Sequence, residues 1–242
     1  KEADLGLFTF QEFTRGIAWL FNWPLKFLNW SLWKGYPVTE LHIMPSFSWV
    51  GISAVLVFVG WRAGGWKLAL LNATCCGYLI FFGQWQSTMM TLSSIGIAVP
   101  IGCGVGLYLG IWAHRKPRFE KILAPALDFM QTIPVFAYLL PILFLFGFSP
   151  VSAMIATIIY AMPPMVRATM LGLKLVSPEI IEFGNMTGCS PRQLMWRVMI
   201  PAARPTLMVG VNQVIMLSLN AVIIASLIGA GGLGFDVLQS LR

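Results

Sequence analysis

The sequence predicts an all-α, polytopic membrane protein with about six transmembrane spans and one additional helix at the membrane surface. Hydrophobic residues make up 57% of the 242 residues and charged residues only 10%, whereas soluble domains carry roughly 25% charged residues. The mean hydropathy is +0.77. Apolar runs that approach the length needed to cross about 30 Å of hydrocarbon recur along the chain. Together these three observations favour a bilayer protein over a soluble domain.

Six apolar runs account for the predicted spans. They cover approximately residues 47–61, 68–82, 88–112, 126–146, 151–171 and 206–227. The fourth run contains Gln131, Pro134 and Pro141, and Pro163 and Pro164 are expected to kink the fifth. The runs divide the chain into an N-terminal segment (1–45), two peripheral transmembrane helices (46–83) and a core (84–242).

The N-terminal segment is rich in phenylalanine and tryptophan between residues 8 and 33, and polar residues recur between the aromatic ones. Amphipathic aromatic helices of this kind lie in the plane of the lipid headgroups rather than across the membrane. The pattern therefore predicts an interfacial helix or, because Pro24 interrupts it, a kinked pair. Membrane lipid is the expected partner of this segment.

The formal net charge of +7 has a membrane explanation. The basic residues cluster at the ends of apolar runs, as the positive-inside bias requires, so no nucleic-acid partner is expected. The densest cluster is Arg115, Lys116, Arg118 and Lys121. Placing it in the cytoplasm also places the other basic loops there. The prediction is a multi-pass protein whose N-terminal segment lies outside.

The predicted spans carry no charge at the membrane midplane, since Asp128 and Arg167 lie near the ends of their runs. A midplane charge would usually mark an ion or proton path, so its absence favours a net-neutral solute and an external energy source. The uncharged polar residues that could line a path are Gln131, Thr132, Asn212, Gln213, Ser218 and Asn220. Asn212 and Asn220 are eight residues apart and share a helix face. Hydrogen bonding between helices is the alternative role for each.

The stretch from Ser177 to Pro205 is polar and basic although it lies between two apolar runs. Helix starts are predicted at Ser177 and Ser190, each followed by proline, with Gly188 as a turn residue between them. A short helix–turn–helix of this kind is typical of a docking surface for a partner protein.

This loop (177–205) resembles the EAA loop of type I ABC importer permeases. In that family Glu-Ala-Ala is followed, four residues after the second alanine, by glycine and later by Ile-x-Leu-Pro. Glu182, Gly188 and Pro201 match at the right spacing, whereas Phe183 and Gly184 replace the two alanines. The resemblance implies that these five residues belong to an ATPase-docking loop.

Further stretches look like the glycine betaine/proline permease subunits of that family. They are residues 127–134, 160–167, 188–193, 210–213 and 223–234. The resemblance covers about residues 83–241 and implies the type I ABC importer permease fold. It also implies transport of a small quaternary-amine compatible solute of the glycine betaine, choline or trimethylamine N-oxide type, an osmoprotectant. The family has a further span after the Gly-Gly-Leu-Gly segment at 231–234, so we expect the last span to be missing from this sequence.

The resemblance also implies the partners and the location. They are a separate ATP-binding cassette ATPase, an extracytoplasmic solute-binding protein and a second permease copy, in the inner (cytoplasmic) membrane of a bacterium. The chain has no phosphate-binding Gly-Lys-Ser/Thr loop. We therefore expect ATP and Mg²⁺ on the partner ATPase, with no cofactor and no enzymatic activity in this chain.

Other classes of protein fit the sequence less well. A permease for an amino acid would share the fold, and an ion-coupled secondary carrier would share the topology but would work without an ATPase. A membrane-embedded enzyme would need paired carboxylates or a His/Asp set near one interface. The four cysteines and two histidines show no metal-ligand spacing, so no metal site is expected.

Overall fold

The computed structural model describes residues 10–34, 36–39, 42–44, 47–147, 149–226 and 231–241. These residues form helices with one short hairpin of strands. The first elements are α1 (Phe10–Asn29), a π-helical turn (Trp30–Lys34), β1 (Tyr36–Thr39), β2 (His42–Met44), α2 (Trp49–Phe81) and α3 (Trp85–Arg115). Next come α4 (Pro117–Thr132), α5 (Val135–Phe146), α6 (Pro150–Lys174) and α7 (Pro178–Met186). The last are α8 (Pro191–Gln193), a π-helical segment (Leu194–Met199), α9 (Ile200–Ala202), α10 (Arg204–Ala225) and α11 (Leu233–Ser240).

The helical architecture agrees with the predicted fold class, and the two-stranded hairpin is the exception. Strands β1 and β2 pair antiparallel, with Tyr36 opposite Met44 and Pro37 opposite Ile43. Aromatic and β-branched residues such as Tyr36, Val38 and Ile43 favour extended backbone. The hairpin falls inside the segment 1–45, for which the sequence analysis predicted only an aromatic helix.

Among the described residues, four helices are long and apolar enough to cross a membrane: α2, α3, α6 and α10. The bent pair α4 and α5 adds a fifth if it counts as one span. This count differs from the predicted six because the first two predicted runs both lie within α2.

Helix α2 is a hairpin rather than one straight span. Gly64 and Gly65 leave the helical conformation, with φ of −139° and +72°. Beyond them the chain turns back. The evidence is a hydrogen bond from the Asn72 side-chain amide to the Leu56 carbonyl at 3.0 Å, which a straight helix could not form between residues so far apart in sequence. Each limb has about 15 residues, or roughly 23 Å at about 1.5 Å per residue. Counting the two limbs separately gives the six apolar runs of the prediction.

The predicted fourth span is bent rather than straight. Helices α4 and α5 meet at an angle of 94°, because Pro134 forces the preceding Ile133 out of the helical conformation, to φ −75° and ψ 129°. The Tyr138 hydroxyl bridges the bend by donating to the Met130 carbonyl at 2.6 Å, a group that the end of α4 leaves without a helical partner. Pro134 is visible in the sequence, but the bend was not among the predictions.

The described residues form two compact units. The first comprises Lys1–Ile97, Leu143–Ala153 and Val222–Arg242. Within it, α1 continues through Pro24 as one helical element. Its Trp19 and Trp23 side chains are exposed whereas Leu25 is buried. An exposed aromatic face is what the predicted interfacial helix requires, and the interfacial position itself stays a prediction.

The second unit comprises Ala98–Ile142 and Met154–Ala221. Its helices approach closely at glycines, because residues without a large side chain let two backbones come near each other. A Cβ at Gly106 would lie 2.7 Å from the Met165 side chain, and a Cβ at Gly110 would lie 2.4 Å from Thr169 Cβ, both on α6. On the other side, a Cβ at Gly210 of α10 would lie 2.6 Å from Ala168 Cβ. Helix α6 therefore packs tightly against both neighbours.

The Gly110→Ala substitution is expected to destabilise the protein by about 1–3 kcal/mol, the usual cost of overpacking a filled interior. The added methyl group would also lie 3.0 Å from the Val166 carbonyl, and backbone cannot move aside as a side chain can. Thermal unfolding of the purified protein in detergent measures the effect. Gly104→Ala is the matched control, because it adds the same methyl group to the same helix in open space. Equal melting temperatures for the two variants would contradict the packing described here.

Candidate functional site: the 177–205 loop and the groove beside it

The 177–205 loop contains both of the helix starts that the sequence predicts. Ser177 occupies the N-cap position of α7 with Pro178 in the first turn, although the Ser177 side chain makes no capping hydrogen bond. Ser190 and Gln193 form a capping box at the second start, in which the Ser190 N–H donates to Gln193 Oε1 at 2.9 Å. Both helix starts therefore lie where the sequence places them.

Gly188 ends α7 in a Schellman motif. The Gly188 N–H donates to the Asn185 carbonyl at 3.0 Å, and the Cys189 N–H donates to the Gly184 carbonyl at 3.2 Å. This arrangement needs a left-handed residue after the helix, and Gly188 has φ +75°. Because an L side chain is strained in that conformation, the backbone geometry explains why glycine is needed at this position.

Pro201 lies in the second helical stretch, which runs through α8, the π-helical segment and α9. The Ile200 N–H donates to the Met195 carbonyl, five residues back, so the helix widens one residue before Pro201. Proline lacks an N–H and its ring crowds the carbonyl of an ordinary α-turn. A widened turn relieves both problems, and the chain then continues into α10 without a long break.

The underside of α7 is packed against the second helical stretch. Gly184 is buried, and a Cβ there would lie 2.5 Å from Leu194 Cδ1. Ile181 and Leu194 pack against a cluster of buried residues that includes Met195, Met199, Leu173 and Leu207. The loop therefore shares a hydrophobic core with α6 and α10.

The outer side of α7 is exposed and apolar. Phe183 is 68% exposed, Met186 is 86% exposed and Ile180 is 41% exposed. Their spacing of three residues places them along one helix face. Glu182, Gly188 and Pro201 are exposed as well, whereas Gly184 is buried. An apolar stripe on an otherwise polar loop is typical of a protein-interaction site.

A groove of about 550 Å³ lies beside the loop and brings together residues of α4, α6 and α10. Two predicted path residues, Gln131 and Gln213, both line it. The other lining residues are Pro164, Arg167, Ala168, Leu171, Pro205, Thr206 and Val209. Sequence reasoning did not select those seven. Most of the lining positions follow helical spacing (164, 167, 168 and 171; then 206, 209 and the predicted 213), and this spacing is the signal that could have found them.

The remaining predicted path residues lie elsewhere. Thr132 is exposed and donates to the Phe129 carbonyl at 2.8 Å, which closes the end of α4. Asn212 and Asn220 are exposed on α10 but do not line the groove. Ser218 is completely buried, and its hydroxyl has no hydrogen-bond partner among the described residues. Ser218 therefore lies apart from the asparagines and from the groove.

Two ion pairs join α4 to α6. Arg167 pairs with Asp128, and Lys174 pairs with Glu120. A second cavity of about 250 Å³ lies along this contact, and Arg167 borders both this cavity and the groove. The Asp128 and Arg167 side chains are 67% and 43% exposed, so their pair contributes only about 0–1 kcal/mol to stability. Within the described residues, no group of three or more metal-ligating side chains occurs.

A comparison with protein families identifies the family to which the chain belongs. Residues 102–242, which include both the loop and the groove, match the binding-protein-dependent transport system inner membrane component. The chain belongs to this permease family. The match agrees with the resemblance found in the sequence, and it assigns the chain to the multi-pass transport components of inner membranes.

Several permeases are similar to this chain over most of its length. The trimethylamine N-oxide transport system permease protein TmoV of Ruegeria pomeroyi is 44% identical over 80% of this chain. The glycine betaine/proline betaine transport system permease protein ProW of Escherichia coli is 36% identical over 95% of this chain. The glycine betaine transport system permease protein OpuAB of Bacillus subtilis is 37% identical over 96%.

The match covers different shares of these permeases. It covers 29% of TmoV, 68% of ProW and 78% of OpuAB. The chain therefore spans less than a third of the trimethylamine N-oxide permease and most of the two betaine permeases.

The Gly188→Ala substitution is expected to loosen the end of α7, because a left-handed alanine costs about 1–2 kcal/mol. Hydrogen–deuterium exchange of the Gly184–Ser190 region should become faster while exchange in α6 stays unchanged. Asn185→Ala is the matched control, since it removes an exposed side chain from the same helix within its right-handed part. Equal exchange in both variants would contradict the Schellman assignment.

Proposed function

We propose that this chain is the membrane-spanning subunit of an ATP-driven importer for a small quaternary-amine or amine-oxide solute. The observation that carries the proposal is the exposed apolar stripe of α7, Ile180, Phe183 and Met186, on a loop whose underside is packed into the transmembrane core. The names of the similar permeases support the solute class, because they transport trimethylamine N-oxide, glycine betaine or proline betaine.

The apolar stripe is the proposed docking site for a separate ATPase subunit. The chain itself has no Gly-Lys-Ser/Thr phosphate loop, so the energy source is placed on a partner that carries ATP and Mg²⁺. Glu182, beside Phe183, adds a charge at the edge of the stripe. Burying the stripe in a partner groove would remove from water the apolar area that the free chain exposes.

The packing beneath the stripe supports its role as a lever. Ile181 and Leu194 contact the same buried cluster as Leu173 of α6 and Leu207 of α10. A displacement of α7 by the ATPase would therefore pass to α6 and α10, two of the three helices that line the groove, because close-packed interiors transmit strain. In this mechanism the groove alternates between access from one side of the membrane and from the other.

The proposed assembly contains two copies of this chain, two ATPases and an external solute-binding protein. The family name supports the binding protein. The orientation is inferred from the positive-inside bias: the loop and its arginines, Arg192, Arg197 and Arg204, lie in the cytoplasm, and the N-terminal segment lies outside. The exposed tryptophans of α1 are then available to the lipid headgroups.

Uptake into proteoliposomes tests the proposal. The full-length protein, reconstituted with its ATPase and its binding protein, is expected to accumulate radiolabelled trimethylamine N-oxide or glycine betaine only when ATP is supplied on the ATPase side. An ion gradient without ATP should not drive uptake. Accumulation driven by a gradient alone would favour an ion-coupled carrier, and ATP-driven uptake of an amino acid instead would favour the amino-acid permease.

The Phe183→Asp substitution is expected to weaken ATPase binding by about tenfold or more, because it places an unpaired charge in the middle of an apolar interface. Co-purification and the ATP hydrolysis of the assembled complex measure this loss. Asn185→Asp is the matched control: it adds the same charge to the same exposed helix, and at about 100° per residue it faces away from the stripe. Equal loss in both variants would argue against the stripe as the docking site.

A further inference from the structure

Arg167 carries the charge of the groove. Of the described residues that line this groove, it alone is ionised, and it also borders the neighbouring cavity, where its partner Asp128 lies. In the sequence, Arg167 stands out only as a charge near the end of a predicted span. Its position between two cavities gives the guanidinium access to more than one acceptor.

The Asp128–Arg167 pair leaves the guanidinium able to bind a second acceptor. A guanidinium has five N–H donors in a planar fork, and one carboxylate accepts at most two of them in a bidentate pair. Both side chains are substantially exposed, and an exposed ion pair contributes little stability. A second oxygen anion could therefore share or displace Asp128 at small cost.

The other walls of the groove suit the opposite end of a methylated zwitterion. Pro164, Leu171, Pro205 and Val209 supply apolar surface. A quaternary ammonium group has no N–H to donate, so its methyl groups need apolar contact rather than hydrogen-bond acceptors. Among the described lining residues there is no aromatic ring, so the tight cation–π cage that holds such cations is not formed here. A site on a transport path has to bind its solute weakly, because the solute must leave it again.

We propose that Arg167 recognises the anionic oxygen of the solute, a carboxylate or an amine-oxide oxygen, while the methyl groups lie against the apolar wall. Asp128 holds the guanidinium between passages and exchanges with the solute oxygen. This inference rests on the proposed function and adds to it a specificity-determining residue in the permease itself. A cation with the same methyl groups and no anionic oxygen would lack the contact to Arg167.

Saturation-transfer NMR on the assembled transporter in nanodiscs, without binding protein, tests the site directly. Glycine betaine should receive saturation from the wild-type protein, and choline, which has the same trimethylammonium group but no carboxylate, should receive much less. Arg167→Gln should weaken the betaine signal about tenfold or more, the effect of losing a charge-assisted hydrogen bond. Arg167→Lys keeps the charge but not the fork and should give an intermediate signal.

Asp128→Asn is the comparison variant, because it breaks the same ion pair and leaves the guanidinium in place. Since it removes the carboxylate that competes with the solute oxygen, it should strengthen the betaine signal and keep the preference over choline. A betaine signal that is unchanged in Arg167→Gln, or lost equally in Asp128→Asn, would overturn the inference, since the pair would then be structural. ATP-driven uptake by the wild-type protein together with either result would leave the proposed function standing. Absence of any ATP-driven uptake would overturn both.

Discussion

The close approach of α6 to its two neighbours is the constraint on which the second unit depends. Gly106 and Gly110 of α3 admit Met165 and Thr169, and Gly210 of α10 admits Ala168, at distances where a Cβ would clash. In a bilayer the lipid is as apolar as the side chains, so helix association relies on such close packing rather than on the hydrophobic effect. The position of Arg167, two residues after Met165, follows directly from this packing.

The same environment explains how three of the buried hydroxyl groups, those of Ser93, Thr169 and Ser226, are used. Lipid offers no hydrogen-bond partners, so polar groups in the hydrocarbon region need partners within the protein. Ser93 donates to the Met89 carbonyl, Thr169 to the Met165 carbonyl and Ser226 to the Val222 carbonyl, each four residues back in its own helix. These side chains are thereby satisfied without a partner helix, and the glycines remain the groups that set the distance between helices.

Some parts of the site form within a few residues and could be predicted from the sequence. The preference of serine for the N-cap position places the helix start at Ser190, and the preference of glycine for positive φ places the turn at Gly188. The apolar runs likewise lie in helices, as expected. The Arg167–Asp128 pair and the groove depend on how α4 packs against α6, and no short stretch encodes that packing. The hairpin in α2 and the bend at Pro134 are intermediate cases. Their glycines and proline were visible, but the direction of the chain after each break depends on tertiary contacts.

The two departures from the Glu-Ala-Ala pattern have separate physical causes. Gly184 faces inward, where Leu194 Cδ1 already occupies the space that an alanine methyl group would need, so this change compensates for a neighbour within the chain. Phe183 faces outward and is 68% exposed, so nothing within the described chain requires its size. If Phe183 docks as proposed, its large ring in place of a methyl group needs a correspondingly deep pocket in the ATPase, because interfaces reach the packing density of protein interiors. The Gly184 departure is therefore explained by packing inside this protein, whereas the Phe183 departure would have to be explained by the proposed partner.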